Sequence, residues 1–336
     1  MALSEIGYHL RLDANDAYRA RAFQSAAAEL LVNEPDIDAL HAASALETIP
    51  GVGSSIAKVL AELIETGTSA YLERLRAAAP PIEPTNIDLQ RYQGDLHAHS
   101  DWSDGKVPLQ AMVAAAKERG YRYLAITDHS PRITVVHGLD GARLREQRRE
   151  LNEAQQRFGI RVLAGIEVDI LEDGSLDLPD DVLAELDVVI ASPHVKLRME
   201  RAEMTRRMLR AVEHPEVDLI GHPTGRRPGS RPGADYDTEA VFRRAAENGV
   251  ALEIDCDPAR MDLSPDLASA AAELGCDFAL DSDAHAPGEF GYVPLGAWIA
   301  ERAGVGEDRL LNWLDVDALE ARLRDRRRGR SRAGRG

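Results

Sequence analysis

Seven short apolar runs, each ending in histidine or a carboxylate, are the feature that most constrains the fold of this 336-residue chain. The runs are GDLHAH, YRYLAITDH, RVLAGIEVD, LDVVIASPH, VDLIGHP, VALEIDCD and DFALDSDAH. The stretches between them predict helices over residues 107–119, 141–157, 180–186, 203–213, 238–248 and 265–274. Seven strand–helix units in succession favour an α/β fold whose parallel strands close into a TIM-like barrel, with a doubly wound open sheet as the alternative.

Every predicted strand carries at least one possible metal ligand at its C-terminal end. In a parallel barrel these ends meet on one face, where the active sites of this architecture lie. Because side chains on a strand repeat every two residues, the rings of His97 and His99 point to the same side. The predicted ligands are His97, His99, Asp104, His129, Glu167, His194, His222, Asp283 and His285.

The residue types in this set indicate catalytic divalent metal ions. Imidazole and carboxylate ligands suit zinc, manganese or iron, and the two cysteines form no CxxC pair of the kind that binds structural zinc. Nine ligands are too many for one ion, so we expect two or three. Ions about 3.5–4 Å apart can hold a metal-bound hydroxide as nucleophile and stabilise the attacking and leaving oxygens of a displacement. The set therefore predicts hydrolysis of phosphate esters.

Basic loop residues near the same face are predicted to contact the substrate, because a phosphate group needs cationic partners. These residues are Lys196 and Arg198 after the fourth run, Arg226 and Arg227 after the fifth, Arg260 after the sixth, and His137 after the second. The remaining acidic residues at the strand ends are expected to orient ligands or to support the structure. They are Asp128, Asp169, Asp255, Asp257 and Asp281.

Composition divides the chain into four parts. Residues 1–80 predict a helical domain of four or five short helices, a proline-rich linker covers 81–91, and the strand–helix units occupy 92–321. The arginine-rich tail 322–336 is expected to be disordered, either as a solvated end or as an arm that tethers nucleic acid. The chain has no apolar run long enough to span a membrane and no signal-peptide pattern, and it contains two cysteines, which together predict a cytoplasmic protein with no membrane partner.

From about residue 92 to 320 the chain resembles the PHP (polymerase and histidinol phosphatase) superfamily. The motifs that match are DLHAHSDWSDG, AITDHS, AGIEVDI, ASPH, IGHPTGR and LDSDAH. The resemblance implies a distorted seven-stranded (β/α)7 barrel with a trinuclear metal site. It also carries over the same nine residues as metal ligands.

Within that superfamily the chain is most similar to the C-terminal module of bacterial family X DNA polymerases. LETIPGVGSSIAKVLAELIETG resembles the helix-hairpin-helix of the same polymerases, which implies DNA contacts at Gly51, Val52, Gly53 and Lys58. Backbone N–H groups at such a helix start can bind a phosphate. No polymerase core separates the two regions, so polymerase activity is not expected. Val59 stands where related polymerases have the lysine of lyase chemistry.

Three functions are open at this point. The first is a DNA 3′-to-5′ exonuclease or 3′-end-processing enzyme, with 3′ ends or gaps in DNA as its partner. The second is a phosphatase of the histidinol-phosphate type that acts on a small phosphate monoester. The third is a DNA-binding adaptor whose barrel is catalytically silent. The net charge of −17 disfavours tight nonspecific nucleic-acid binding, although bound metal ions would cancel part of it.

Overall fold

Seven parallel strands form one sheet in sequence order in the computed structural model, which describes residues 2–12, 16–79 and 85–333. A parallel bridge pairs Ala98 with Ala284, and His99 N–H donates to the Ala284 carbonyl at 2.8 Å. The first and last strands therefore meet just beyond their C-terminal ends, so the barrel prediction is confirmed over the open sheet. The strands span Gly94–Asp95 (β1), Tyr123–Ile126 (β2), Arg161–Asp169 (β3), Val188–Ser192 (β4), Leu219–Ile220 (β5), Ala251–Asp255 (β6) and Phe278–Asp281 (β7).

The six helices predicted between the apolar runs are all present as α6 to α11. Side-chain caps explain several of their starts: Asp140 accepts hydrogen bonds from the first turn of α7, and Asp237 and Ser264 do the same for α10 and α11. In the described residues the α-helices span Ala2–Arg11 (α1), Ala17–Asn33 (α2), Ile37–Ala42 (α3), Ser54–Thr66 (α4), Ala70–Ala78 (α5), Leu109–Glu118 (α6), Gly141–Phe158 (α7), Asp180–Leu183 (α8), Arg201–Val212 (α9), Thr238–Asn248 (α10), Pro265–Glu273 (α11), Val293–Arg302 (α12) and Val316–Ala333 (α13).

The interior of the barrel changes from apolar to ionisable along the strands. On β6, Ala251 belongs to the inner apolar cluster, while Glu253 and Asp255 follow on the same face. On β3, Leu163 belongs to that cluster and Glu167 follows four residues later on the same face. The alternate positions pack outward against the helices. The apolar layer thus supports a polar layer at the C-terminal end.

Helix α13 packs at the opposite end of the barrel. Its residues Leu319 and Leu323 join the inner apolar cluster, and Leu319 is fully buried. The arginines that follow bind Asp218, a buried carboxylate just before β5: Arg326 Nη2 is 2.8 Å from Asp218 Oδ1, and Arg327 Nε is 3.0 Å from the same oxygen.

The expectation of a disordered tail from residue 322 is wrong for residues 322–333, because the structure continues α13 through them. The run of arginines has the composition of a solvated segment. A buried carboxylate needs a cationic partner, however, and Arg326 and Arg327 both bind the buried Asp218. This partner is distant in sequence, so the composition of the tail could not reveal it.

The helical domain, α1 to α5, has its own apolar core and also packs against the barrel. Ala28 and Leu31 of α2 join the main barrel cluster, where α2 contacts α6. Residues 81–84 of the predicted linker, which include Pro81 and Pro84, lie outside the described residues. The described part of the linker is attached to the barrel, since Asn86 N–H donates to Glu301 at 3.1 Å.

Across the described residues, the helices are too short or too polar for any of them to cross a membrane.

Candidate metal centre

The nine predicted metal ligands all lie at the C-terminal end of the barrel. Eight of them form three groups in which the ligand atoms lie within 4.8 Å of one another. His99 and His129 each belong to two groups, so the groups adjoin. The groups are His99, Asp104, His129 and His285; His97, His99 and Asp283; and His129, Glu167 and His194.

Glu167 lies between two sets of histidines because its carboxylate oxygens face in different directions. Its Oε1 is 2.7 Å from His222 Nε2 and 3.1 Å from His194 Nε2. Its Oε2 is 2.9 Å from His129 Nδ1 and 3.4 Å from His97 Nε2. His222, the ninth predicted ligand, therefore joins the cluster through Glu167. A carboxylate in this position can bridge two cations.

Several buried ligand atoms lie close to one another but make no contact with the geometry of a hydrogen bond, which fits a bound cation. They include His97 Nε2, both ring nitrogens of His99, Glu167 Oε2 and His194 Nε2. An unpaired buried polar atom costs about 1–3 kcal/mol, so a cluster of them calls for a compensating group. Two ligands bound to one ion at about 2.1 Å lie about 3.0–3.4 Å apart, and His99 Nε2 lies 3.0 Å from Asp283 Oδ1. The residues present fit divalent metal ions.

The electrostatics around Glu167 and His222 favour the protonation states that metal ions require of these two ligands. Burial alone raises the pKa of Glu167, but the surrounding imidazoles, led by that of His194, hold this pKa well below its usual value. Burial and the nearby Arg260 lower the pKa of His222 to about 3, so this ring is neutral at neutral pH. Ionised carboxylates beside neutral imidazoles are the forms that bind metals.

Two of the predicted ligands have backbone conformations that non-glycine residues rarely adopt. His222, which follows β5, has φ 26°, and Asp283, which follows β7, has φ 49°. Such a conformation costs on the order of 1–3 kcal/mol and persists only where the surrounding structure enforces it. Both residues turn the chain at the point where their side chains enter the cluster.

Glu253 on β6 orients two of the ligands and is absent from the predicted set. It is fully buried, and its Oε1 lies 2.6 Å from His97 Nδ1. Its Oε2 accepts a hydrogen bond from the backbone N–H of His222. The sequence contains a signal for it: Glu253 precedes Asp255 by two residues, which places both on the inner face of an otherwise apolar strand.

Two other acidic residues have supporting roles of the kind that the sequence analysis allows. Asp169 Oδ1 lies 3.1 Å from His194 Nδ1, where a carboxylate orients the ring of a metal ligand. Asp128 instead holds the loop after β1, because it accepts hydrogen bonds from Ser100 N–H at 2.8 Å and from the Ser103 hydroxyl at 2.5 Å.

Of the residues predicted to bind substrate, the structure brings Arg260 into the cluster. Its Nε lies 3.1 Å from Asp283 Oδ2 and 3.2 Å from Asp255 Oδ2, and the residue is 8% exposed. It therefore places a positive charge directly beside a predicted metal ligand. The others lie on the surrounding loops: Lys196, Arg198, Arg227 and His137 are exposed, and Arg226 is half-buried.

The predicted hairpin turn in the helical domain precedes α4. Gly51 has φ 78°, and Gly53 occupies the N-cap of α4. Val52 is buried and its N–H donates to the Ile49 carbonyl at 3.0 Å, so this residue offers DNA neither its side chain nor a free amide. The first two amides of α4 precede the hydrogen bonds of the helix and are the ones left for a phosphate, whereas the Ile56 N–H donates to the Gly53 carbonyl at 3.0 Å. Lys58 is exposed on the same helix.

Comparison with known proteins identifies both regions. A family model described as PHP domain matches residues 95–255, and one described as helix-hairpin-helix domain matches residues 1–69. A probable phosphatase of Shewanella sp. (strain MR-4) is 31% identical over 233 residues, which cover 66% of this chain and 88% of that protein. The chain belongs to the PHP domain family. The resemblance drawn from the motifs is thus confirmed.

Other relatives of this PHP protein differ in length and in the activity that their names state. The DNA polymerase/3′-5′ exonuclease PolX of Bacillus subtilis (strain 168) is 38% identical over 239 residues, which cover 71% of this chain but 42% of that protein. The chain thus spans less than half the length of that relative. Among solved structures, the histidinol phosphate phosphatase of Lactococcus lactis subsp. lactis Il1403, complexed with zinc, L-histidinol and phosphate, aligns with TM-score 0.47 and 20% identity over 64% of this chain and 95% of that chain.

Proposed function

We propose that this PHP protein is a metal-dependent phosphoesterase that acts on DNA as a 3′-to-5′ exonuclease or 3′-end-processing enzyme, without polymerase activity. The observation that carries the proposal is the convergence of three adjoining ligand groups at one end of the barrel, with several of their atoms buried and unpaired. The groups share His99 and His129, and Glu167 faces histidines on both sides. This arrangement suits two or three adjacent ions.

The nine predicted ligands would hold the ions, which we take to be zinc, manganese or iron. When bound, such ions activate water and stabilise negative charge on phosphate oxygens. Glu253 and Asp169 keep the rings of His97 and His194 in the orientation that directs Nε2 of each into the cluster.

Arg260 is the group we assign to the substrate phosphate. Its guanidinium already lies against Asp283 and Asp255, which hold it beside the cluster. A phosphate group bound at the cluster would lie next to the guanidinium of Arg260, and an arginine can donate two hydrogen bonds to one phosphate. A fixed positive charge contributes most where the charge on phosphate increases in the transition state.

The helical domain supports DNA as the substrate. A cavity of about 740 Å³ is lined by the turn before α4 and by Lys58, Arg74 and Tyr18, together with residues of α2 and α5. Tyr18 is 85% exposed, and an exposed ring offers a surface on which a base can stack. Arg74 lies 5.5 Å from the ring of Tyr71 and contributes a second cation. Cations and an aromatic ring around a helix start suit a nucleic-acid backbone with its bases.

A small phosphate monoester is the second candidate substrate. The observation that favours it is that this chain covers 88% of the length of a relative named as a probable phosphatase. In that case the helical domain would serve the structure of the barrel rather than substrate recognition.

The deciding experiment incubates the purified chain with Mn²⁺ and a duplex labelled at the 5′ end of a recessed strand. We expect stepwise shortening of that strand from its 3′ end. The matched control is the His97→Ala/His99→Ala variant, which should retain DNA binding and lose shortening because the cluster loses the imidazoles of two predicted metal ligands.

The other outcomes separate the alternatives. Absence of shortening together with rapid hydrolysis of p-nitrophenyl phosphate would reject DNA and support the monoester. Activity that is identical in the double variant would reject the metal centre. DNA binding without hydrolysis of any ester would identify the protein as an adaptor.

A further inference from the structure

The helical domain contacts the barrel directly beside the metal centre. Helix α1 packs on the segment Pro287–Tyr292, which follows β7. This segment begins two residues after His285. A Cβ atom added to Gly288 would lie 2.2 Å from the Ser4 carbonyl oxygen, so the two backbones approach as closely as a glycine allows. The rings of Tyr8 and Tyr292 lie 5.3 Å apart in the same contact. The last turn of α1 is therefore held at the rim of the barrel.

Arg11, in that last turn, is connected to a predicted metal ligand through one buried carboxylate. Its Nη1 binds Glu289 Oε1. Glu289 is fully buried, and its Oε2 accepts a hydrogen bond from the backbone N–H of His285 at 2.7 Å. His285 Nε2 in turn lies 3.3 Å from Asp104 Oδ1 within one ligand group. Two contacts thus lead from the helical domain to the metal centre.

The charge on Glu289 makes this connection important. A buried carboxylate needs a cation and hydrogen-bond donors, and here Arg11 supplies the cation while His285 supplies a donor. Without Arg11, the negative charge of Glu289 would lose its cationic partner from the helical domain, beside a cluster that attracts cations. Rotation of Glu289 toward solvent or toward the ions would release the His285 N–H and free the ring to turn.

We propose that Arg11 of the helical domain is a positioning residue for the metal centre of the barrel, acting through the buried Glu289 on His285, so that the centre is complete only when the helical domain is docked. This inference rests on the proposed function. It goes beyond a contact between domains, because it makes the affinity for metal depend on a residue outside the barrel.

The test compares Arg11→Ala, Arg11→Lys and a matched control in the full chain. The control is Arg157→Ala, since Arg157 of α7 donates to the Val32 carbonyl of α2 and so contacts the helical domain at a second place. The readouts are Mn²⁺ affinity by calorimetric titration, and kcat and KM for bis(p-nitrophenyl) phosphate.

We expect Arg11→Ala to weaken the weakest Mn²⁺ site by about 10- to 100-fold, the range for residues that orient a metal ligand, and to lower kcat more than it changes KM. Arg11→Lys should recover most of the loss because it restores the charge. Arg157→Ala should bind Mn²⁺ within about 3-fold of the parent chain. Mn²⁺ affinity unchanged in Arg11→Ala, equal losses in Arg11→Ala and Arg157→Ala, or no recovery in Arg11→Lys would each overturn the proposal.

A second pair of variants keeps the test decisive if Arg11→Ala folds poorly. Glu289→Gln retains an oxygen that can accept the His285 N–H and removes the charge that Arg11 compensates. In that background, adding Arg11→Ala should change Mn²⁺ affinity by less than about 3-fold; a loss as large as in the parent chain would refute the connection. A parent chain that binds no Mn²⁺ would instead refute the proposed function.

Discussion

Replacement of Glu253 by glutamine tests whether the buried carboxylate under the cluster determines metal affinity. Glu253 has two acceptor oxygens and uses both: Oε1 faces His97 Nδ1 at 2.6 Å and Oε2 accepts from the His222 backbone N–H. Glutamine has nearly the same shape but only one acceptor. One of the two donors would then face an amide NH₂ group. Either His97 loses the partner that selects its tautomer, or His222 loses the contact that fixes its backbone.

The expected magnitude follows from these two contacts. A hydrogen bond to a charged group contributes about 1.5–3 kcal/mol, and loss of the partner that orients a metal ligand weakens metal binding by about 10- to 100-fold. At about 1.4 kcal/mol per factor of ten, these two ranges agree. Burial raises the pKa of Glu253, with His97 opposing it, so the charged form is costly in the absence of metal. We therefore expect metal affinity to fall while the metal-free protein keeps most of its stability.

The assay is a titration of Zn²⁺ against a competing chelator, together with thermal unfolding of the metal-free and metal-loaded protein. Asp218→Asn is the matched control, because Asp218 is also a buried carboxylate but lies at the opposite end of the barrel against Arg326 and Arg327. It should lower stability and leave Zn²⁺ affinity within about 3-fold of the parent chain. Zn²⁺ affinity in Glu253→Gln within the same limit would refute the reasoning.

Three further predictions concern pH, DNA and the end of the chain. Burial lowers the pKa of His194 and of His285, but neighbouring carboxylates outweigh burial and raise both pKa values to about 9. The protonated rings therefore stabilise the folded protein fully below pH 6.5, and this contribution is lost as the pH rises through 9. The Tm of the metal-free protein should fall across this window, and saturating Zn²⁺ should flatten the fall; a flat metal-free profile would contradict these pKa values. Lys58→Ala should weaken binding of a DNA duplex and reduce the slope of log affinity against log salt by about one. The control is Lys117→Ala, which replaces an exposed lysine of the barrel. Equal slopes for the two variants would exclude Lys58 from the DNA contact. In urea titrations Leu319→Ala should lower the free energy of unfolding by about 2–5 kcal/mol. The control Leu12→Ala should lower it by less than about 0.5 kcal/mol, because Leu12 is 41% exposed. Similar values for both variants would mean that α13 does not pack into the end of the barrel.

The nine candidate ligands and the order of the barrel elements could be derived from the sequence because both depend on local pattern. Short apolar runs alternating with amphipathic stretches specify parallel strands, and parallel strands bring their C-terminal ends together whatever the details of the packing. A histidine or carboxylate at the end of such a run is therefore placed at the edge of the shared site, although Asp128 binds the loop after β1 instead. His97 and Glu167, far apart in sequence, meet for this reason.

The partners of buried charges were decided by the tertiary structure alone. Glu253 was not predicted as part of the site, because the sequence shows that it lies on the inner face of β6 but not that it contacts His97 on another strand. The disorder expected from residue 322 was wrong for residues 322–333, because Arg326 and Arg327 bind the buried Asp218 of the barrel. A charge removed from water requires an opposite charge, and its position depends on the closed barrel rather than on neighbours in the chain. Local sequence determined where the ionisable groups lie along each strand, and three-dimensional packing determined which of them compensate one another.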